Sequence, residues 1–353
     1  MPSSPHPVLS ASLAESLKDV GQLVTQRKRL FVKRSDIQPP LEKVIEQLAG
    51  LRSADIARAE KEICDAGGLD YRWTRGAGSG WQQPQRAHAA GQLKLSPDLA
   101  YLFIFHRDGY LREAALRSLE RPMPGAFFAT AIAWRMNDWV QQVRDAATAC
   151  AARTFAISSP EVLADSAWAL FDRQNTWSRW GTDRDILREI IIRPDVTHLL
   201  LEQIISSGSG PAPRLLRQIL RGPALDEHLH RIARESTQPS VRAVAAQTLL
   251  EGHAAWIVGW QRRWIDKTYG ISERVPKYQK RPLQHAPPRS ELIDMLLADK
   301  SAMVRRVALD GAIKFALDTD KARAWGEAAL RDRSASVRER GEYIVGKTSA
   351  TTQ

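Results

Sequence analysis

A five-fold recurrence constrains this chain more than any other feature. An apolar residue followed by Arg, with a small residue three positions after that Arg, occurs at Leu111-Arg112 with Ala115, Val143-Arg144 with Ala147, Val241-Arg242 with Ala245, Val304-Arg305 with Ala308 and Val337-Arg338 with Gly341. The apolar leaders are separated by 32, 98, 63 and 33 residues, close to one, three, two and one units of about 33. A fixed period of that length marks a chain built from repeated supersecondary units. Two further copies are expected near 176 and 208, where Thr176-Trp177-Ser178-Arg179 and Pro213-Arg214-Leu215-Leu216 are degenerate versions.

The pattern has a direct physical reading. The leader and the small residue four positions on share one helix face, and the small residue lets a neighbouring helix approach closely. Asp138, Asp299 and Asp332 stand five residues before their leaders, and Asp108 three before, at the turn between paired helices. There an Asp can accept from free backbone N–H groups, and the Arg beside the leader can reach the Asp of an adjacent unit. On these residues the chain resembles the HEAT-repeat (armadillo-like) family over roughly 97–346, about seven tenths of its length. The resemblance implies an all-α fold, a right-handed α-solenoid of about six to seven HEAT-like helical hairpins. It also implies that Asp and Arg form a structural ladder, which assigns Arg112, Arg144, Arg242, Arg305 and Arg338 to the scaffold.

Composition agrees with packed helices: the chain is 43% apolar and 26% charged, and no long alternation of Val, Ile and Thr argues for strands. Residues 1–68 read as an N-terminal helical cap with disordered first residues. Within it Leu9, Leu13, Leu17, Val20 and Val24 have helical spacing, Pro39-Pro40 is expected to break the chain before a short helix over 41–48, and Ser53 opens a helix ending at Gly67-Gly68. Residues 69–96 read as a loop containing glycines and tryptophans. No strand precedes its glycines and no Gly-Lys-Ser/Thr follows them, so it is not a phosphate loop. The last residues, 347–353, read as a disordered tail.

Met1–Ser10 lacks a basic start, an apolar core and a cleavage site, which gives an expectation of cytoplasmic localisation. No stretch nears the roughly 18 apolar residues that span a bilayer, so no membrane partner is expected. Cys64 and Cys150 read as small core residues. His228 and His230, two apart, point in different directions on a helix, and no metal site or cofactor is expected.

The net charge of +11 favours anionic partners, and it is concentrated. Residues 252–290 carry eight cations (Arg262, Arg263, Lys267, Arg274, Lys277, Lys280, Arg281 and Arg289) against Asp266 and Glu273. This basic aromatic insertion, at about 254–290, interrupts the repeat. Trp256, Trp260 and Trp264, four apart, are expected to form one stripe of a helix, either packing inward or stacking bases beside the Arg pair. The prolines after residue 275 make the second half a non-helical loop. A smaller basic group, Arg27, Lys28, Arg29, Lys33 and Arg34, follows the first helix.

The middle units add Trp177 and Trp180, residue types common in binding hot spots. The expected site residues are therefore Arg262, Arg263, Lys267, Arg274, Lys277, Lys280, Arg281, Trp260, Trp177 and Trp180. The functional expectation is a non-enzymatic scaffold that binds a protein partner through its concave face and the insertion, with a DNA- or RNA-binding protein as the alternative. A small-molecule ligand is not expected. Some HEAT-like solenoids are DNA glycosylases of alkylation repair, and this chain shares their basic, Trp-rich character. None of their catalytic motifs matches it residue by residue, and Asp183 or Asp185 would have to face a Trp-lined cleft.

Overall fold

The computed structural model describes residues 6–25, 34–70, 74–75, 81–82, 84–173, 189, 191–285, 287–315 and 320–350. The chain divides into two compact units, Met1–Val196 and Thr197–Gln353. The described residues are mostly helical, with seventeen α-helices and two small two-stranded antiparallel sheets. No helix among them is long and apolar enough to cross a membrane.

The first unit contains α1 (Ala11–Thr25), α2 (Arg34–Ala49), α3 (Ile56–Ala66), the two-residue strands β1 (Thr74–Arg75) and β2 (Trp81–Gln82), α4 (Pro84–Leu95), α5 (Ala100–Phe103), α6 (Gly109–Ser118), α7 (Ala126–Arg135), α8 (Gln141–Ile157) and α9 (Pro160–Arg173). Leu13, Leu17, Val20 and Val24 of α1 are buried, as their spacing requires. Helix α7 is buried almost all round and packs against α2, α3, α8 and α9. Its Phe127 and Phe128 join Phe103 and Phe105 at the centre of the unit.

Three expectations are corrected here. Pro39 and Pro40 lie inside α2 and do not break it. They fall in its first two turns, where only the carbonyls of residues 35 and 36 lose a helical donor. The expected loop over 69–96 contains a helix, α4, with Pro84 at its first position, where a missing N–H costs nothing. The expected tail is helical as far as Ala350.

The second unit contains most of α10 (Pro194–Ser206), then α11 (Ala212–Ile219), α12 (Leu229–Glu235), α13 (Pro239–Glu251), β3 (His253–Asp266), β4 (Ile271–Pro282), α14 (Arg289–Leu297), α15 (Ala302–Phe315), α16 (Asp320–Ala329) and α17 (Ala335–Ala350). Helices α12, α14 and α16 each pack on the helix that follows, while α13 packs on α15 and α15 on α17. Three helix pairs thus stand in succession.

All five apolar leaders of the sequence pattern are buried, and so are Ala115, Ala147, Ala245 and Ala308. Gly341 permits a close approach, because a Cβ there would lie 2.8 Å from the carbonyl oxygen of Gly326 on α16. The arginines make one bracket repeatedly. In each copy Nη1 donates to the carbonyl six residues earlier: His106 for Arg112, Asp138 for Arg144, Ser236 for Arg242, Asp299 for Arg305 and Asp332 for Arg338. In three copies Nε and Nη2 also grip a carboxylate on the next helix pair, Arg112 on Asp138, Arg242 on Asp299 and Arg305 on Asp332. Each of these Asp side chains also accepts from the N–H two residues on, fixing the turn that leads into its own helix.

The bracket sets the count of units across the interruption expected at about 254–290. It spans 26 residues from Arg112 to Asp138 and 27 from Arg305 to Asp332, but 57 from Arg242 to Asp299. The excess of 30 residues over the Arg305 bracket is the length of the segment from His253 to Pro282. The 63-residue interval between Val241 and Val304 therefore holds one unit and an inserted β-hairpin, not two units.

Candidate interaction site

The hairpin is where the charge is concentrated. Strand β3 has 14 residues and β4 has 12, which gives an arm of roughly 45 Å. Gly252 ends α13 in the left-handed conformation, with φ of 71°, and its N–H bonds back to the carbonyls of Thr248 and Leu249. The chain leaves that cap directly into β3. At the tip, Asp266 accepts from the backbone N–H groups of Thr268 (2.8 Å) and Tyr269 (3.1 Å), and Gly270 takes φ of 66° to turn the chain into β4. Lys267 and Tyr269 are exposed there. Pro276, opposite Trp260, is tolerated because each strand of a two-stranded ribbon has an open edge.

The tryptophan segment is a strand, which overturns the helical stripe expected from its spacing. A separation of four keeps side chains on one face of a regular strand as well, but this strand is not regular. Ile257 pairs with Tyr278 and Gly259 with Lys277, leaving Val258 as a β-bulge. One extra residue exchanges the faces beyond it. The register therefore places Trp256 on one face and Trp260 and Trp264 on the other.

The face bearing Trp260 and Trp264 also bears Arg262, Arg274, Tyr278 and Lys280. Trp260 is 55% exposed, Trp264 44% and Tyr278 54%. The Arg274 guanidinium lies 5.5 Å from the centre of the Trp260 ring, and that of Arg262 lies 5.2 Å from the Trp264 ring. No carboxylate occurs on this face of either strand.

The opposite face holds the hairpin to the body and is largely neutralised. Arg263 donates to Glu273, its cross-strand partner, at 2.6 Å. Arg281 is half-buried and grips Asp226 with both Nη atoms, at 2.8 and 2.7 Å, while Nη2 also donates to the carbonyls of Leu220 and Gly222. Ala254 is buried, and Trp256 lies under the Arg221 guanidinium at 5.8 Å. Arg281 is thus an anchor of the hairpin root and not a free binding cation, because its donors are taken up by the body. Lys277 is the remaining exposed cation on this side.

Of the expected site residues, the hairpin brings Trp260, Arg262, Arg274 and Lys280 together on one face, puts Arg263, Lys277 and Arg281 on the other and leaves Lys267 at the tip. Trp177 and Trp180 lie outside the described residues, as do Asp183, Asp185 and most of the basic group at 27–34. Trp264, Tyr278 and Asp226 stand outside the expected site residues. An exposed aromatic alternating with cations in a segment rich in β-formers was the available signal for Tyr278, whereas nothing local marks Asp226.

A second feature, in the first unit, is a cleft lined by Glu60, Cys64, Arg112, Trp134, Arg135 and Asp138. Its buried charges hold one another: Arg112 and Arg135 both hold Asp138, and Arg135 and the Trp134 indole hold Glu60. Burial pushes the Cys64 thiol up from its usual value, against the opposing effect of Arg107. A protonated thiol is a poor nucleophile.

No family model matches this chain, and no curated protein matches it. Among solved structures it is similar to one described as Uso1-1, at 14% identity and a TM-score of 0.22, over 94% of this chain and 70% of that one. A TM-score that low relates neither fold nor function.

Proposed function

We propose that this protein is a non-enzymatic scaffold of HEAT-like helical hairpins, stacked as a right-handed solenoid, that engages a macromolecular partner through its basic β-hairpin. The observation that carries this reading is the hairpin itself. It adds 30 residues to a bracket that elsewhere closes in about 27, contributes little core, and exposes four aromatic rings among unpaired cations. A helical stack does not need such an arm for its own stability, and exposed apolar surface rimmed by charge marks interaction sites. Seven cations against two carboxylates over residues 253–282 call for an anionic partner. An acidic protein surface and a nucleic acid both meet that requirement.

The test keeps the root and removes the arm. Residues 257–278 are replaced by Asn-Gly, which joins the paired Trp256 and Gln279 through a two-residue turn and leaves Arg281 on Asp226. Heparin serves as the polyanion, with retention followed in a salt gradient. The intact protein should be retained and the shortened one should elute early with an unchanged helical circular dichroism spectrum. Equal retention of the two would sink the arm as the binding element.

A further inference from the structure

We infer that the partner of the hairpin is single-stranded nucleic acid, bound on the face that carries Trp260, Trp264 and Tyr278. This rests on reading the hairpin as the binding arm. Three observations lead to it. First, the β-bulge at Val258 sorts the strand residues into two unlike faces, one tied to the body or internally paired, the other free. Second, Arg262, Arg274 and Lys280 on the free face are exposed and share it with no carboxylate. Third, two of its rings are each paired with a guanidinium, at 5.2 and 5.5 Å, and remain about half exposed.

Rings and cations in that arrangement fit an unpaired strand better than the other anionic partners. Unpaired bases have π-faces to offer, so an aromatic ring gains a stacking partner, and Arg and Lys beside it neutralise the phosphates. In a duplex the bases are already stacked on one another, and exposed rings on a ribbon would have nothing to receive. An acidic protein surface would account for the cations and leave the spaced rings unexplained. Trp260 and Trp264 are four residues apart on one strand face, roughly 13 Å, so a strand must be extended to lay separate bases on both. The face from Tyr278, opposite Ile257, to Trp264 is roughly 23 Å long, enough for a few extended nucleotides.

The experiment uses the full chain and labelled oligonucleotides of about fifteen nucleotides, long enough for a typical single-strand site: oligo-dT, oligo-U and a mixed-sequence duplex of equal length, followed by fluorescence anisotropy over a salt series. Both single strands should bind more tightly than the duplex, and the ratio of dT to U affinity tells whether DNA or RNA is preferred. Trp260→Ala and Trp264→Ala should each weaken binding about tenfold with the salt slope unchanged, because they remove stacking and no phosphate contact. Arg262→Glu with Arg274→Glu should weaken binding and lower the slope of log K against log salt by roughly 1.4, at about 0.7 per phosphate contact. Lys277→Glu, on the other face, should stay within about twofold. The substituted Trp, Arg and Lys side chains are exposed, so circular dichroism should not change. Heparin retention that depends on the arm, combined with no oligonucleotide binding or with a duplex bound as tightly and Trp variants like the wild type, would overturn this inference and leave the arm intact as a binding element for another polyanion. Retention that survives removal of the arm would instead overturn the reading on which it rests.

Discussion

Replacing Arg112 by Met tests whether the recurring arginines are structural brackets. The side chain makes four hydrogen bonds: two to the Asp138 carboxylate, both at 2.9 Å, and two through Nη1 to the carbonyls of His106 and Arg107, at 2.8 and 2.9 Å. Both partners are nearly inaccessible, with side chains 4% and 1% exposed. Breaking a buried pair by removing one partner costs roughly 3–5 kcal/mol. Asp138 keeps Arg135 at 3.0 Å and the Val140 N–H at 3.0 Å, so Arg112→Met is placed at the low end, about 3 kcal/mol. The same bracket is wetter elsewhere: side-chain exposure is 11% and 11% for Arg242 and Asp299, and 17% and 12% for Arg305 and Asp332. Arg242→Met and Arg305→Met should cost about 1–2 kcal/mol, between the buried and exposed limits. Arg340, paired with Asp310 at 28% and 51% exposure, is the surface control, expected within about 1 kcal/mol. Urea unfolding followed by circular dichroism reads all four, and a cycle with Asp138→Asn should return a coupling of at least about 1 kcal/mol. If Arg112→Met cost no more than Arg340→Met, or if cost ignored burial, the bracket would not be holding the helix pairs together.

Two further perturbations follow from the packing. His106 is buried, its Nδ1 accepts the Asp108 N–H at 2.9 Å, and burial followed by the nearby Arg112 charge lowers its pKa from 6.5 to about 4. The unfolded chain therefore binds this proton first as pH falls, and stability should decline between pH 6.5 and about 4 by up to about 3 kcal/mol. His106→Gln should remove that part of the decline, and identical pH profiles for the two proteins would refute the assignment. Gly341→Ala should destabilise by about 1–3 kcal/mol although Ala is the better helix former, because its Cβ meets the Gly326 carbonyl at 2.8 Å and the Ala329 methyl at 3.0 Å. A melting temperature equal to or above that of the parent would show that α16 and α17 can separate at no cost.

The helix pairs were legible in the sequence because one packing requirement recurs at every copy. A buried leader, a small residue one turn on and an Arg that closes on the carbonyl six residues earlier leave a periodic trace that does not depend on which helices pack together. The hairpin was misread for a definite reason. Spacing by four places Trp256, Trp260 and Trp264 on one side of a helix and also on one side of a strand, so periodicity alone does not decide between them. The deciding cues were the β-branched and aromatic run Trp256-Ile257-Val258, the Asp266 to Gly270 turn and the Pro276 that a helix interior rejects. Even with those cues, the bulge that sends Trp256 to the other face is a property of the pairing register, which a single strand's sequence does not contain. Asp226 was beyond sequence reasoning because its partner, Arg281, is 55 residues away.

The same arithmetic explains why the interval that holds the insertion nearly matches two units in length and how the helix pairs tolerate it. An insert of 30 residues nearly equals one unit of about 33, so phase alone does not distinguish an extra helix pair from an arm. What distinguishes them is where the bonds close. Arg242 still reaches Asp299 across the root of the hairpin, so α13 and the α14–α15 pair meet with the bracket found where nothing is inserted. The Leu283 N–H bonds to the Gly252 carbonyl at 3.0 Å, bringing the two ends of the insert together. A closed root confines the added chain to one side of a turn, and its entropic cost grows only with the logarithm of its length. Arg281, gripping Asp226 just ahead of α12, then fixes the direction in which the arm leaves. A loop held only at its ends would sweep its cations through solvent. Held also by this ion pair and by the buried Ala254, the hairpin keeps its neutralised face toward the body and leaves Trp260, Trp264 and their guanidinium partners free on the other.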